Sequence, residues 1–185
     1  MGCGLKGGGG LSSRLVVGAV LLAAGAGSRL VGASLERLLE LRIDDLPLYS
    51  QDSDAQPPAA PVARLRQDIA AADGVLFVTP EYNRSIPGLL KNAIDQASRP
   101  WGQSKWGGKP AAVCGVSIGT VGTAVAQSHL HSVLSFLAMP QLGQPEMYIQ
   151  WKDGLVVDGA IGQASREHVQ KFVDALVAWM RQHQA

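Results

Sequence analysis

Two short runs without a charged side chain constrain this chain more than any other feature: Val75-Leu76-Phe77-Val78 and Ala111-Ala112-Val113-Cys114-Gly115-Val116. A strand with one wet face alternates apolar and polar residues, whereas a strand that is apolar throughout needs cover on both faces. A parallel sheet between two layers of helices supplies that cover. The segments in between have the matching period. Val62, Leu65, Ile69 and Ala72 share one helical face, as do Leu89, Leu90, Ala93, Ile94 and Ala97. Residues 38–43 (LLELRI) read as another strand, ending in the turn Asp44-Asp45, and residues 50–61 as a polar, proline-rich surface loop. Residues 121–138 are largely helical in pattern, and Met147-Tyr148-Ile149 reads as the last strand. Ser165 is placed to cap a final helix through Met180, with Val169, Phe172, Val173, Leu176 and Val177 inward. Strands alternating with helices predict a single α/β domain over residues 1–185.

Composition narrows the function. Charged residues are 17% and nearly balanced, 16 Lys and Arg against 15 Asp and Glu, so no basic field draws the chain to nucleic acid. Two cysteines, Cys3 and Cys114, cannot make a disulfide framework. Residues 15–26 are apolar or glycine, but 12 residues are too few to span a bilayer. Lys6 and Arg14 before that run could serve a signal peptide. A glycine-rich loop feeding a buried helix over residues 15–24 is the preferred reading, with a cytoplasmic protein and no membrane partner.

The chemistry lies in the loops. Ligands of an open parallel sheet bind beyond the carboxyl ends of its strands. Residues 79–88 (TPEYNRSIPG) follow the first apolar strand directly, and residues 117–123 (SIGTVGT) follow the second. Tyr82 brings an aromatic face, Glu81 and Asn83 bring acceptors, and the glycines let backbone N–H groups approach a ligand. No Gly-Lys-Ser/Thr phosphate loop is present, and Ser117, beside a glycine, is a weak nucleophile candidate. His129 and His131 are two apart on an expected helix and face different directions, so no metal site is expected.

Residues 79–95, TPEYNRSIPGLLKNAID, resemble the signature of the NADPH-dependent FMN reductase family, in its branch of chromate, quinone and ferric reductases. Residues 45–49 (DLPLY), 108–111 (GKPA), 117–122 (SIGTVG) and 144–146 (QPE) stand in the order that family has, and the resemblance runs from about residue 38 to the end. It implies a flavodoxin-like three-layer α/β/α sandwich with a five-stranded parallel sheet of order 2-1-3-4-5, and a homodimer or homotetramer. It implies noncovalent FMN, with NADH or NADPH as electron donor. Quinones, chromate, ferric complexes or azo dyes would be the small-molecule acceptors, reduced in a ping-pong cycle through flavin N5. By the same resemblance Pro80, Glu81, Tyr82 and Asn83 pass along the flavin ring and its ribityl side, and Ser117 and Gly119 lie at its pyrimidine side. Arg84 and Ser85 lie near the site mouth and the dimer contact. Because the flavin carries the redox chemistry, no side chain is needed as catalytic acid or nucleophile.

The family's glycine- and serine-containing phosphate loop has two partial counterparts. Leu11-Ser12-Ser13-Arg14 is preferred, with residues 15–24 as the first helix and the first strand truncated or absent. Ser12, Ser13 and Arg14 would then bind the FMN phosphate at a helix N-terminus. The second echo is residues 27–34, GSRLVGAS. Gln96 stands where relatives usually carry tryptophan. The alternative reading is a flavodoxin-like protein with weak or lost FMN binding, acting as a structural or interaction module.

Overall fold

The two apolar runs form the middle of the sheet, and their side chains alternate between two cores. A computed structural model describes Val16–Val20 and residues 37–183. Its strands are β1 (Val16–Val20), β2 (Arg37–Leu39), β3 (Gly74–Val78), β4 (Ala111–Ser117) and β5 (Tyr148–Gln150). They pair in parallel in the order β2-β1-β3-β4-β5. The helices are α1 (Ala60–Ala71), α2 (Gly88–Ser98), α3 (Ala124–Phe136) and α4 (Gln163–Gln182). Val75, Phe77, Ala111 and Val113 pack with Leu65 and Ile69 of α1, Leu90 and Ile94 of α2, and Leu130 and Leu134 of α3. Leu76 and Ala112 turn the other way, onto Phe172, Leu176, Val177 and Met180 of α4. The period of two is thus intact in a run that has no polar residue to reveal it.

Polar groups inside this packing are paired. Trp106 is fully buried 5.8 Å from the Phe77 ring, and its indole Nε1–H donates to the Ile94 carbonyl at 2.9 Å. Gln96, the polar substitute for the family's tryptophan, is buried and donates to the Pro47 carbonyl at 2.9 Å. Its backbone carbonyl accepts from the Arg66 guanidinium at 3.0 Å. A buried polar group that is hydrogen-bonded costs little.

Several expectations are corrected. Within the segment expected as the first helix, residues 15–24, Val16–Val20 is instead strand β1, between β2 and β3, and the rest of that segment lies outside the described residues. Three β-branched valines within five residues favour extended backbone, and a central strand tolerates a continuous apolar run. The strand expected over residues 38–43 is Arg37–Leu39 only, although Leu41 and Ile43 beyond it are buried in the α1–α3 core. The third helix begins at Ala124 rather than 121, after a turn containing Gly122. Ser165 lies inside α4, whose N-cap is Gly162, and Val169 is half-buried. The antiparallel pair β6 (Val156–Val157) and β7 (Ala160–Ile161) had no signal beyond its glycines.

One close approach fixes how the strand ends meet. A Cβ at Gly115 would collide with the Thr79 carbonyl oxygen and the Thr123 hydroxyl. Gly115→Ala should therefore lower the unfolding free energy by roughly 1–3 kcal/mol, the cost of overpacking. Denaturant titration checks this, and an unchanged midpoint would contradict the close packing.

Candidate active site

The loop after β3 is held in one shape. Thr79 extends the ladder by one residue, its N–H donating to the Cys114 carbonyl at 2.9 Å. Tyr82 and Ser85 exchange both backbone hydrogen bonds at 3.0 Å, which closes a two-residue turn over Asn83 and Arg84. Those two have φ of 50° and 64°. Left-handed backbone at both central positions is the hairpin geometry that asparagine tolerates and arginine enters only under constraint. Tyr82 is thereby left 53% exposed at the carboxyl edge of the sheet.

The constraint comes from Glu81. Its side chain is only 10% exposed. One carboxylate oxygen accepts from the backbone N–H groups of Val125 and Ala126, both at 3.1 Å, and the other accepts from the Arg84 guanidinium at 3.0 Å. A helix leaves its first N–H groups unpaired, and a carboxylate there also meets the positive end of the helix dipole. Helix α3 has no local side-chain cap, because Thr123, its N-cap, has φ of 73° and its hydroxyl accepts from Gln127 instead. Glu81 therefore supplies the cap from 44 residues away, and in doing so ties the Tyr82 loop to the element that follows the second loop. The sequence reading expected Glu81 to offer its acceptors along the flavin; its carboxylate is occupied by α3 and Arg84.

The second loop is shaped by contact rather than by its own turns. A Cβ on Gly122, which has φ of +56°, would lie 2.7 Å from the carbonyl carbon of Tyr148. Behind it Gln127, buried on the inner face of α3, donates to the Thr123 hydroxyl and to the Met147 carbonyl, each at 2.9 Å. The Ser117 hydroxyl donates to the Gly119 carbonyl at 3.2 Å and meets no base among the described residues, so the nucleophile reading has no support. The backbone N–H groups of Ile118, Gly119 and Thr120 donate to no described residue, and all three residues are exposed. Backbone donors left without a described partner can meet the acceptor oxygens of a ligand.

Of the expected site residues, Pro80, Glu81, Tyr82, Asn83, Ser117 and Gly119 thus stand on the loops at two adjacent strand ends, with Arg84 beside Glu81. Ser12, Ser13 and Arg14 lie outside the described residues, but the helix expected to start after them is replaced by β1. Sequence reasoning missed the polar links, Glu81 to α3 and Thr123 to Gln127. A glutamine four residues after a threonine on an otherwise apolar helix face was the available signal. It also missed that the Ser85 hydroxyl lies 3.1 Å from His129 Nδ1. Cys114, between the two loops, is inert, since burial pushes its thiol up to about 12. No cluster able to hold a metal ion occurs among the described residues. A cavity of about 430 Å³ lies elsewhere, among Pro47, Tyr49, Asp54, Val62, Arg66 and Gln103, and shares no residue with either loop.

The Glu81 link makes a direct expectation. Glu81→Ala should destabilise the fold by roughly 1–3 kcal/mol, the loss of charge-assisted hydrogen bonds that leaves helix N–H groups unpaired. Glu81→Gln, which keeps a carbonyl acceptor, should recover about half of that loss. Equal stability of the alanine variant and the parent in denaturant titration would refute the capping role.

Comparison with known proteins identifies the family. The sequence profile of the family described as NADPH-dependent FMN reductase matches residues 12–153. A 2-hydroxy-1,4-benzoquinone reductase of a Burkholderia species is 54% identical over 142 residues, 75% of this chain and 76% of that protein. A quinone reductase of Pseudomonas putida is 46% identical over 146 residues, 78% of each chain. Among solved structures, the flavoenzyme NAD(P)H:(acceptor) oxidoreductase FerB of Paracoccus denitrificans is 45% identical and superposes with a TM-score of 0.76, covering 82% of this chain and 83% of that one. A flavodoxin, WrbA-like protein of Agrobacterium tumefaciens, 20% identical with a TM-score of 0.52, shares the fold alone. The chain therefore belongs to the NADPH-dependent FMN reductase family, as an oxidoreductase that uses FMN and NAD(P)H.

Proposed function

We propose that the protein reduces quinones with electrons from NAD(P)H, using FMN seated between the loops that follow β3 and β4. One observation carries this reading: an exposed tyrosine and three backbone N–H groups that donate to no described residue stand at adjacent strand ends, on loops clamped together by Glu81. When bound, the flavin takes up two electrons from the nicotinamide and passes them to the acceptor. In this reading Pro80, Tyr82 and Asn83 line the ring, and Glu81 fixes their position. Ser117 and Gly119, with the free N–H groups, hold the pyrimidine end, where donors stabilise negative charge on the reduced ring. The quinone reductases among the relatives support a quinone acceptor. Chromate, ferric complexes and azo compounds extend the proposal, because an open crevice limits acceptors by access more than by shape. The cycle is ping-pong, with donor and acceptor using the same face in turn.

The phosphate anchor has two candidate sets. Ser12, Ser13 and Arg14 precede β1 in the sequence, and Gly27, Ser28 and Arg29 follow it. Ligands of an open parallel sheet bind beyond the carboxyl ends of its strands, and of the two sets only the second comes after β1 in sequence order, which favours it. The purified protein should carry the visible absorption of oxidised flavin through gel filtration. Arg29→Ala should weaken FMN binding by roughly 1.5–3 kcal/mol, a charge-assisted hydrogen bond, and riboflavin binding much less. Arg14→Ala should change neither. A phosphate-selective loss in the Arg14 variant would return the anchor to residues 12–14, and a protein that binds no flavin would overturn the function.

The proposal places the protein in the cytoplasm as a homodimer or homotetramer. No helix among the described residues is long and apolar enough to cross a membrane. Trp101 and Phe136, 75% and 76% exposed with ring centroids 6.5 Å apart, form an apolar surface suited to a second copy. Sedimentation should show a multiple of 19.4 kDa at micromolar concentration, and a monomer alone would contradict it.

A further inference from the structure

We infer that His129, held by Ser85, donates the proton that a quinone requires when it is reduced; this rests on the reading that the acceptor binds beside Tyr82. Reduction of a quinone to a hydroquinone consumes two electrons and two protons. A hydride delivers both electrons and one hydrogen, so one oxygen is left as a phenolate unless an acid stands next to it.

Several polar groups near the two loops are committed or unable to supply that proton. The Glu81 carboxylate is occupied by two helix N–H groups and Arg84. Arg84 cannot release a proton at ordinary pH. Cys114 stays a thiol because desolvation pushes its pKa up, and desolvation, together with donation of its hydroxyl to the Glu146 carboxylate at 2.8 Å, raises the pKa of Tyr148. His129 is different. It is exposed on α3, four residues beyond Val125, whose N–H binds Glu81. Its Nδ1 lies 3.1 Å from Ser85 Oγ, and Ser85 shares both backbone hydrogen bonds with Tyr82. The imidazole is thus tied by one hydroxyl to the same turn that presents the aromatic ring. Nδ1 is the ring nitrogen that meets Ser85, and Nε2 has no hydrogen bond to a described residue.

The charged groups on the elements meeting at this corner are Glu81 and Arg84 on the loop, Lys91 and Asp95 on α2, and His131 on α3. Glu81 pairs with Arg84, and Lys91 with Asp95 at 2.8 Å. His131 Nδ1 is bonded to the Gln141 side chain. None of them forms an ion pair with His129. In the step itself the Nε2–H bond of the imidazolium breaks and an O–H bond forms on the acceptor. The imidazolium becomes imidazole, and water restores its proton. No further oxidant or reductant is needed. Imidazole is the side chain suited to this exchange between pH 5 and 8.

The test uses the FMN-loaded protein, reduced anaerobically with NADH and mixed with 1,4-benzoquinone or ferricyanide in a stopped-flow instrument. Reoxidation of the parent by benzoquinone should slow as pH rises from about 5.5 to 8.5. His129→Gln should remove that dependence and slow the reaction roughly 10²-fold at the acid end. Ferricyanide, which takes electrons without a proton, should not discriminate between the two proteins. Ser85→Ala, which keeps the imidazole but frees it, should slow the quinone reaction and keep the pH dependence. A readout independent of turnover is calorimetric binding of 4-nitrophenolate, a mimic of the product anion, in two buffers of different ionisation enthalpy. The parent should take up a proton on binding and His129→Gln should not. A pH-independent quinone rate in the parent overturns the proposal without any variant, as does equal proton uptake by the two proteins. A protein that holds no flavin or is not reduced by NADH fails at the proposed function instead.

Discussion

The carboxylate of Glu81 on the N-terminus of α3 is the interaction on which the rest of the site depends. Two ligand loops at neighbouring strand ends have no intrinsic reason to keep a fixed distance, since each is free to move on its own strand. Here one nearly buried side chain leaves the first loop and pairs with Val125 and Ala126, immediately after the second. The same carboxylate holds Arg84, which stabilises a left-handed turn that lacks glycine at both central positions. A charge on unpaired helix N–H groups is worth up to about 2 kcal/mol when partly buried. That is comparable to the strain of about 1–3 kcal/mol per residue in unusual backbone. With two such residues in the turn, the clamp offsets part of that strain, and the paired Tyr82–Ser85 backbone hydrogen bonds add to it.

Beneath the clamp lies a second layer of constraint. Gly115 lets the Thr79 carbonyl and Thr123 approach the floor of β4, and Gly122 lets the second loop press on the backbone at Tyr148. Gln127 then joins Thr123 to the Met147 carbonyl, so β3, β4, β5 and α3 are linked by buried polar contacts that satisfy one another. Placing the polar atoms in this seam leaves the loop surface itself, the N–H groups of Ile118 to Thr120, uncommitted. Rigid support below and free donors above is the arrangement that a preorganised cofactor site requires.

Much of this was legible in the sequence, for identifiable reasons. β3 and β4 are apolar at nearly every position, so their central place needed no periodicity, and the loops after them followed from the rule for open sheets. The face of α1 was visible in Val62, Leu65 and Ile69, and that of α4 in Phe172, Val173, Leu176 and Val177. Segment 15–24 misled because an apolar run without caps or polar breaks has the same composition in a buried helix and a central strand. Its valines were the discriminating signal. Ser165 looked like a cap because local chemistry favours serine there, yet the cap of α4 is Gly162, three residues earlier. The Glu81 and His129 contacts could not be read at all, since each joins residues 44 apart and depends on how α3 packs against the loop.

The measurement that bears most directly on this account is amide hydrogen exchange with and without FMN. If the flavin sits between the clamped loops, FMN should slow exchange in residues 79–85 and 118–120. The amides of Val125 and Ala126 should be slow in both states, because Glu81 already holds them. Protection confined to residues around the separate cavity near Tyr49 and Arg66, with no change in the two loops, would contradict it.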